Sequence, residues 1–182
     1  MKHITLLFTA LLLGLAALIP EPAHAASASE IDNAVSNAAQ QLYANNPAAR
    51  ALSRQARAVL IFPRIVKAGF IVGAQIGEGA LREHGNTVGY YRSAAASYGL
   101  QAGVQEFGYA LFFMDRSSLN YLKKSRGWEI GVGPSVVVVD EGFARQISST
   151  TLQQGVYAYF FNQRGLMAGM GLQGSKITRI YP

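Results

Sequence analysis

Apolar residues first recur at helical spacing, at Ile31, Val35, Ala38, Ala39 and Leu42, and predict an amphipathic helix. Ser29 stands ahead of them as the expected N-cap, with Glu30 and Asp32 suited to the positive end of the helix dipole. Asn45-Asn46-Pro47 ends the pattern, and Pro47 suits the first turn of a second, short helix. From Ala58 the period changes. Val59-Leu60-Ile61-Phe62 is a continuous apolar run of strand-favouring residues that stops at Pro63. Residues 70–81, 87–92, 97–104 and 107–114 read as further strands, with His84-Gly85-Asn86 as a turn. Asp115-Arg116-Ser117-Ser118 opens a short helix that runs to Lys124, with Gly127 just beyond it. Residues 128–139, 156–161 and 166–172 complete the strands, Asn162-Gln163-Arg164-Gly165 has the composition of a hairpin turn, and residues 140–155 read as a long surface loop. Helices first and strands afterwards imply an α+β domain. Its sheet should be mainly antiparallel and strongly coiled or barrel-like, with N-terminal helices and one further short helix.

The glycines sharpen that picture. Gly69, Gly73, Gly77 and Gly79 share odd parity, while Phe70, Val72, Ala74, Ile76 and Ala80 take the even positions. Read as one strand, this leaves one face nearly bare and the other apolar. The arrangement recurs with Gly99 and Gly103, with Gly131 and Gly133, and with Gly165, Gly169 and Gly171. Glycine weakens a strand, so the pattern needs a reason. Bare faces could let a coiled sheet close or a helix approach, or they could form a smooth groove for an acyl chain. A membrane helix built on Gly69, Gly73 and Gly77 is opposed by Lys67, Gln75 and Glu78 in the same short segment.

The first 25 residues stand apart. Lys2, an apolar run over residues 4–19 and Ala23-His24-Ala25 have the form of a cleaved secretory signal, giving a mature start at Ala26 and a single domain over 26–182. Export, to the periplasm of a Gram-negative cell in peripheral contact with a membrane, is the expected location. The chain carries 16 Lys plus Arg against 10 Asp plus Glu, and the excess of six survives removal of the leader, which favours anionic partners.

Arg50, Arg54, Arg57, Arg64 and Lys67 fall within eighteen residues that hold no acid. Arginine forks match phosphate oxygens, so this run is a candidate lipid-headgroup surface, weighed evenly against a solvated helix face. Lys123, Lys124 and Arg126 form a second candidate cluster at a helix C-terminus, where dipole complementarity alone also accounts for them. Catalysis finds little support. The chain has no Cys, and His84 is the only histidine of the mature chain and sits in a turn sequence. The carboxylate of Gly77-Glu78-Gly79 has no partner acid or base tied to it by spacing. No metal site and no phosphate-binding loop is expected, and neither enzyme activity, a cofactor nor nucleic-acid binding is implied.

The sequence resembles the SYLF domain family. The resemblance rests on Ile61-Phe62-Pro63 with Val66-Lys67-Ala68-Gly69-Phe70, on Gly77-Glu78-Gly79, on Ser97-Tyr98-Gly99-Leu100-Gln101-Ala102-Gly103, and on Arg164-Gly165-Leu166-Met167-Ala168-Gly169 with Leu172-Gln173-Gly174-Ser175. It extends over residues 49–180. Bacterial members of that family are exported lipid-binding proteins, and eukaryotic members bind phosphoinositides or actin. What the resemblance implies here is phospholipid binding in general, at an anionic membrane surface. The rival expectation is an envelope structural or interaction domain that uses its glycine-rich sheet faces for packing or self-assembly.

Overall fold

The computed structural model describes residues 26–69, 72–98, 103–139, 155–164, 172 and 174–182. The expected leader, most of the 140–155 loop and the strand over 166–172, apart from Leu172, lie outside those residues. Helix α1 (Ala28–Asn45) begins earlier than the apolar pattern suggested, because Ser27 rather than Ser29 is the N-cap. Ser27 and Glu30 form a reciprocal capping box: the Ser27 amide donates to Glu30 Oε2 at 2.8 Å and the Glu30 amide to Ser27 Oγ at 3.3 Å. Helix α2 (Pro47–Gln55) follows with Pro at its first turn.

Eight strands form one sheet: β1 (Ala58–Gly69), β2 (Val72–Glu83), β3 (Asn86–Tyr98), β4 (Gly103–Phe113), β5 (Trp128–Glu129), β6 (Val136–Val139), β7 (Val156–Arg164) and β8 (Lys176–Ile180). Their order is β5-β8-β3-β2-β1-β4-β7-β6, and among these pairings only β6 with β7 is parallel. Helix α3 (Arg116–Lys124) follows β4, with Asp115 as its N-cap. The α+β class, the N-terminal helices and the coiled antiparallel sheet are those expected from the sequence.

Side chains measure the curl. The Trp128 ring on edge strand β5 lies 6.0 Å from that of Phe113 on β4, five places along the sheet. The Tyr109 hydroxyl of β4 donates to Ser93 Oγ of β3 at 2.7 Å, passing over β1 and β2. One core therefore fills the inside of the curl, with Leu60, Phe62, Tyr109, Leu111, Phe113 and Trp128. A second core lies on the outer face, where Ile31, Val35, Leu42 and Leu52 of α1 and α2 cover Val59, Ile61, Ala80 and Phe112. Polar clamps hold those helices in place. Asp32 accepts from Thr87 Oγ1 and the Tyr90 hydroxyl at 2.7 and 2.8 Å, and the Tyr159 hydroxyl donates to Asn46 Oδ1 at 2.7 Å.

Several expected boundaries move. Strand β1 does not end at Pro63 but continues to Gly69 through a bulge, and the two strands expected over 87–92 and 97–104 are replaced by a single β3 and the start of β4. Gly69 and Gly73 do not share a strand; they face each other across the β1–β2 hairpin. Gly131 and Gly133 are not in a strand either. Their φ angles of +110° and +91° belong to the turn between β5 and β6, which Trp128 closes by donating its Nε1 hydrogen to Val132 O at 3.0 Å. Asn162 does not open a hairpin turn but sits inside β7 with φ +51°, where the pairing with β4 slips by one residue.

Candidate functional site

The bulge in β1 organises the site. Against β2, Ile61 pairs with Ala80 and Val66 with Ile76, so β1 carries one extra residue; against β4 the same slip falls between Phe62 and Ile65. Pro63 lies inside this bulge, where its missing N–H removes no ladder bond. Gly77 and Gly79 lie opposite. A Cβ at Gly77 would come within 2.3 Å of Arg64 O, and one at Gly79 within 2.1 Å of Ile61 O. The Gly77-Glu78-Gly79 motif is thus the complement of the bulge: glycine is required because the β1 backbone covers both positions. At Gly69, Gly77 and Gly79 the bare positions are therefore closed by neighbouring backbone, whereas a Cβ at Gly103 would meet nothing within 4 Å.

One extra residue swaps the faces of a strand. Before the bulge, Leu60 and Phe62 point inward; after it Ile65 does, so the inward parity changes from even to odd. Lys67 follows Ile65 inward and is only 7% exposed, beside its cross-strand neighbours Gln75 and Gln105, which are also buried. Ser93 and Ser175 complete a polar inner surface, with Gln75 Nε2 donating to Ser175 Oγ at 2.9 Å.

The outer face of the same strand ends is apolar. Val72, Ile76 and Val104 are 58%, 52% and 61% exposed, and Ala68, Ala74 and Ala96 lie in one cross-strand row with Val104. Beyond the helix-covered half of the sheet, then, ordinary layering is inverted: polar groups are shut inside and apolar ones face out. A charged belt separates the two halves. Arg92 donates to Glu78 Oε1 through Nε and Nη2 at 3.1 and 2.6 Å, Arg64 pairs with Glu106, and Arg164 of β7 is the register neighbour of Glu106. Hydrogen bonding from Arg64 holds the Glu106 carboxyl below its ordinary value.

The eight basic residues singled out in the sequence do not form one patch. Arg50 is committed to the end of α1, donating to the carbonyls of Tyr43 and Ala44 at 2.6 and 3.0 Å. Arg54 is exposed on α2, and Arg57 lies past the end of that helix. Arg64 is in the belt and Lys67 is inside the tip, so the acid-free run is spread along a strand whose twelve residues span roughly 35–40 Å. Lys123 pairs with Glu83, while Lys124 and Arg126 are not buried. Arg57 and Lys123 both line a cleft of about 370 Å³, together with Glu83, His84 and Arg116. Reading by sequence put Ile76 and Val104 on an apolar strand face without naming them as site candidates, and it did not single out Gln75 or Gln105. The alternation in residues 72–80 marked two faces, but nothing in it said which face the fold leaves open.

Among the described residues no cluster of His, Asp or Glu could hold a metal ion, and no helix is long and apolar enough to cross a membrane. No curated protein matches the chain. Residues 94–180 match the family model Ysc84, described as Las17-binding protein actin regulator, and that stretch runs from within β3 to the end of β8. Over that stretch, just under half of its length, the chain matches the Ysc84, or SYLF, domain family, which is consistent with a SYLF-domain protein.

Proposed function

We propose that the protein is a non-enzymatic lipid-binding module that, after export to the cell envelope, docks on anionic phospholipid surfaces through the outer face of its distal sheet. The observation that carries this reading is the inversion of layering at the strand ends, apolar outside and polar within. Water is a poor neighbour for such a face, and the bilayer interface is a good one. Removing the remaining exposed surface of Val72, Ile76 and Val104 from water contributes about 1 kcal/mol each. The belt adds Arg64, Arg92 and Arg164 against Glu78 and Glu106, a net positive rim at the level where head groups would lie. The family match over residues 94–180 is consistent with a lipid-binding or an actin-related module.

Co-sedimentation of the mature chain with anionic and zwitterionic vesicles, at low and high salt, tests the proposal. Binding should favour anionic vesicles, weaken with salt, and fall roughly hundredfold in an Ile76→Asp, Val104→Asp variant. An Arg54→Glu, Arg57→Glu variant separates this from docking through α2: loss of binding there, with the tip variant unimpaired, overturns the tip reading. Equal absence of binding to both vesicle types overturns lipid binding altogether. Edge strand β6, with Val137 and Val138 exposed, favours a second reading as a protein-interaction or self-assembly module. A concentration-dependent oligomer without lipid affinity would select it.

A further inference from the structure

We propose that the inner face of the tip is a binding site for a phosphate ester bearing a free hydroxyl, with Lys67 as its anchor. This inference concerns the opposite face of the strands from the docking surface and stands independently of it. Lys67 is 7% exposed, and among the described residues no carboxylate pairs with it and no hydrogen bond reaches its ammonium. A cation on a nearly buried side chain with no protein partner is a suitable anchor for an anion. Its two register partners are buried amides, Gln75 on β2 and Gln105 on β4, with Cβ atoms expected about 5 Å away on either side. Gln75 is oriented by its bond to Ser175, at 2.9 Å. Gln105 Oε1 is buried and accepts no hydrogen bond.

The site therefore offers a cationic donor next to an orphan acceptor. A carboxylate would neutralise Lys67 but bring no hydrogen to Gln105, and water would satisfy Gln105 but leave the charge. A phosphate oxygen at Lys67, with a hydroxyl of the same molecule donating to Gln105 Oε1, answers both. The inner core closes the site from below, where Tyr109 and Ser93 satisfy each other at 2.7 Å and Phe62 lies against Tyr109 at 4.8 Å between ring centroids. Glycerol phosphate has this chemistry, free in solution or as the head of a phosphatidylglycerol.

Calorimetric titration of the mature chain at fixed ionic strength with glycerol 3-phosphate, with dihexanoyl phosphatidylglycerol below its micellar concentration, and with acetate tests the assignment. Saturable binding of one or both phosphate esters is expected, at least roughly tenfold weaker in Lys67→Met and weaker in Gln105→Leu, and retained in Lys67→Arg. Binding of glycerol phosphate alone identifies a soluble source; binding only of the short-chain lipid identifies a head group. Lys67→Met keeps the length and apolar stem of the side chain and should melt close to wild type; should it fail to fold, Gln105→Leu decides. No saturable binding of either ester, equal binding of acetate, or affinities unchanged by both Lys67→Met and Gln105→Leu overturns the proposal. The Ile76→Asp, Val104→Asp variant should keep this soluble binding while losing vesicles, so failure of one proposal is read separately from failure of the other.

Discussion

Gly79→Ala adds a single methyl group and should be among the most damaging small substitutions in the sheet. The new Cβ would stand 2.1 Å from Ile61 O, 2.8 Å from Ile61 C and 2.9 Å from Phe62 Cδ1. Two of those atoms are backbone, so a rotamer change cannot relieve the contact; β1 and β2 must separate by about an ångström at the bulge. Overpacking of this kind costs roughly 1–3 kcal/mol, and each ladder hydrogen bond lost in the separation costs about 1 kcal/mol more. Alanine recovers about 0.5–1 kcal/mol by restricting the unfolded chain. The balance is a loss of about 3 kcal/mol, a large part of the stability of an ordinary domain. For a chain of this size it lowers the melting temperature by roughly 6–12 °C. Gly85→Ala is the control. Gly85 has φ +86°, but a methyl group on its Cα would meet nothing within 4 Å, so the substitution carries only left-handed strain, about 1–2 kcal/mol. Thermal melts followed by circular dichroism, with urea titrations for the free energies, compare the two. A Gly79→Ala loss no larger than that of Gly85→Ala would refute the view that the bulge, rather than backbone freedom alone, demands glycine there.

Other substitutions probe the supports of the same frame. Partial burial raises the affinity of Asp115 for a proton, but hydrogen bonds from Ser117, the Ser118 and Gly155 amides and the Ser118 hydroxyl outweigh it and hold the carboxyl at about 2. A carboxyl depressed on folding stabilises above its unfolded value near pH 4 and loses that contribution as pH falls toward 2. Discounted for its exposure, the contribution is on the order of 1–2 kcal/mol, so Asp115→Asn should flatten the acid limb of a stability profile between pH 4 and 2. Ser27→Ala should cost about 1 kcal/mol through loss of the capping box, read as a lower urea midpoint at unchanged slope. Tyr109→Phe leaves the buried Ser93 hydroxyl without its 2.7 Å partner and should cost about 1–2 kcal/mol in the same assay.

Helix α1, α3 and the antiparallel class were legible because each rests on short-range rules: apolar spacing, a cap and a period that changes from helical to alternating. The supposed strand across residues 128–139 failed at Gly131 and Gly133, whose parity suggested a face but whose positive φ makes a turn. Parity carries information only once a segment is known to be extended. The basic run failed differently. Eighteen residues without an acid are neighbours in the sequence, yet a helix end, a strand start, a bulge and a strand interior send Arg50, Arg57, Arg64 and Lys67 to four environments.

Pro63 explains the least legible feature of all. A proline after an apolar run reads as the end of a strand, since it cannot donate to a ladder. Here the chain inserts one residue at that position and continues, with Gly77 and Gly79 making room on one neighbour. Without the insertion, strict alternation from Phe62 would send Val66 and Ala68 inward and Lys67 outward, a conventional strand with a solvated lysine. With it, Lys67 turns in toward Gln75 and Gln105 while Ala68 joins Val104 and Ala74 on the outer face. On β1, then, the inward turn of Lys67 and the outward turn of Ala68 follow from one extra residue, which brings them into line with the unbroken alternation of Gln75 and Ile76 on β2 and of Val104 and Gln105 on β4. Gly77-Glu78-Gly79, whose carboxylate has no chemical partner by spacing, guards that extra residue: its glycines fit the bulge, and its glutamate holds Arg92 in the belt.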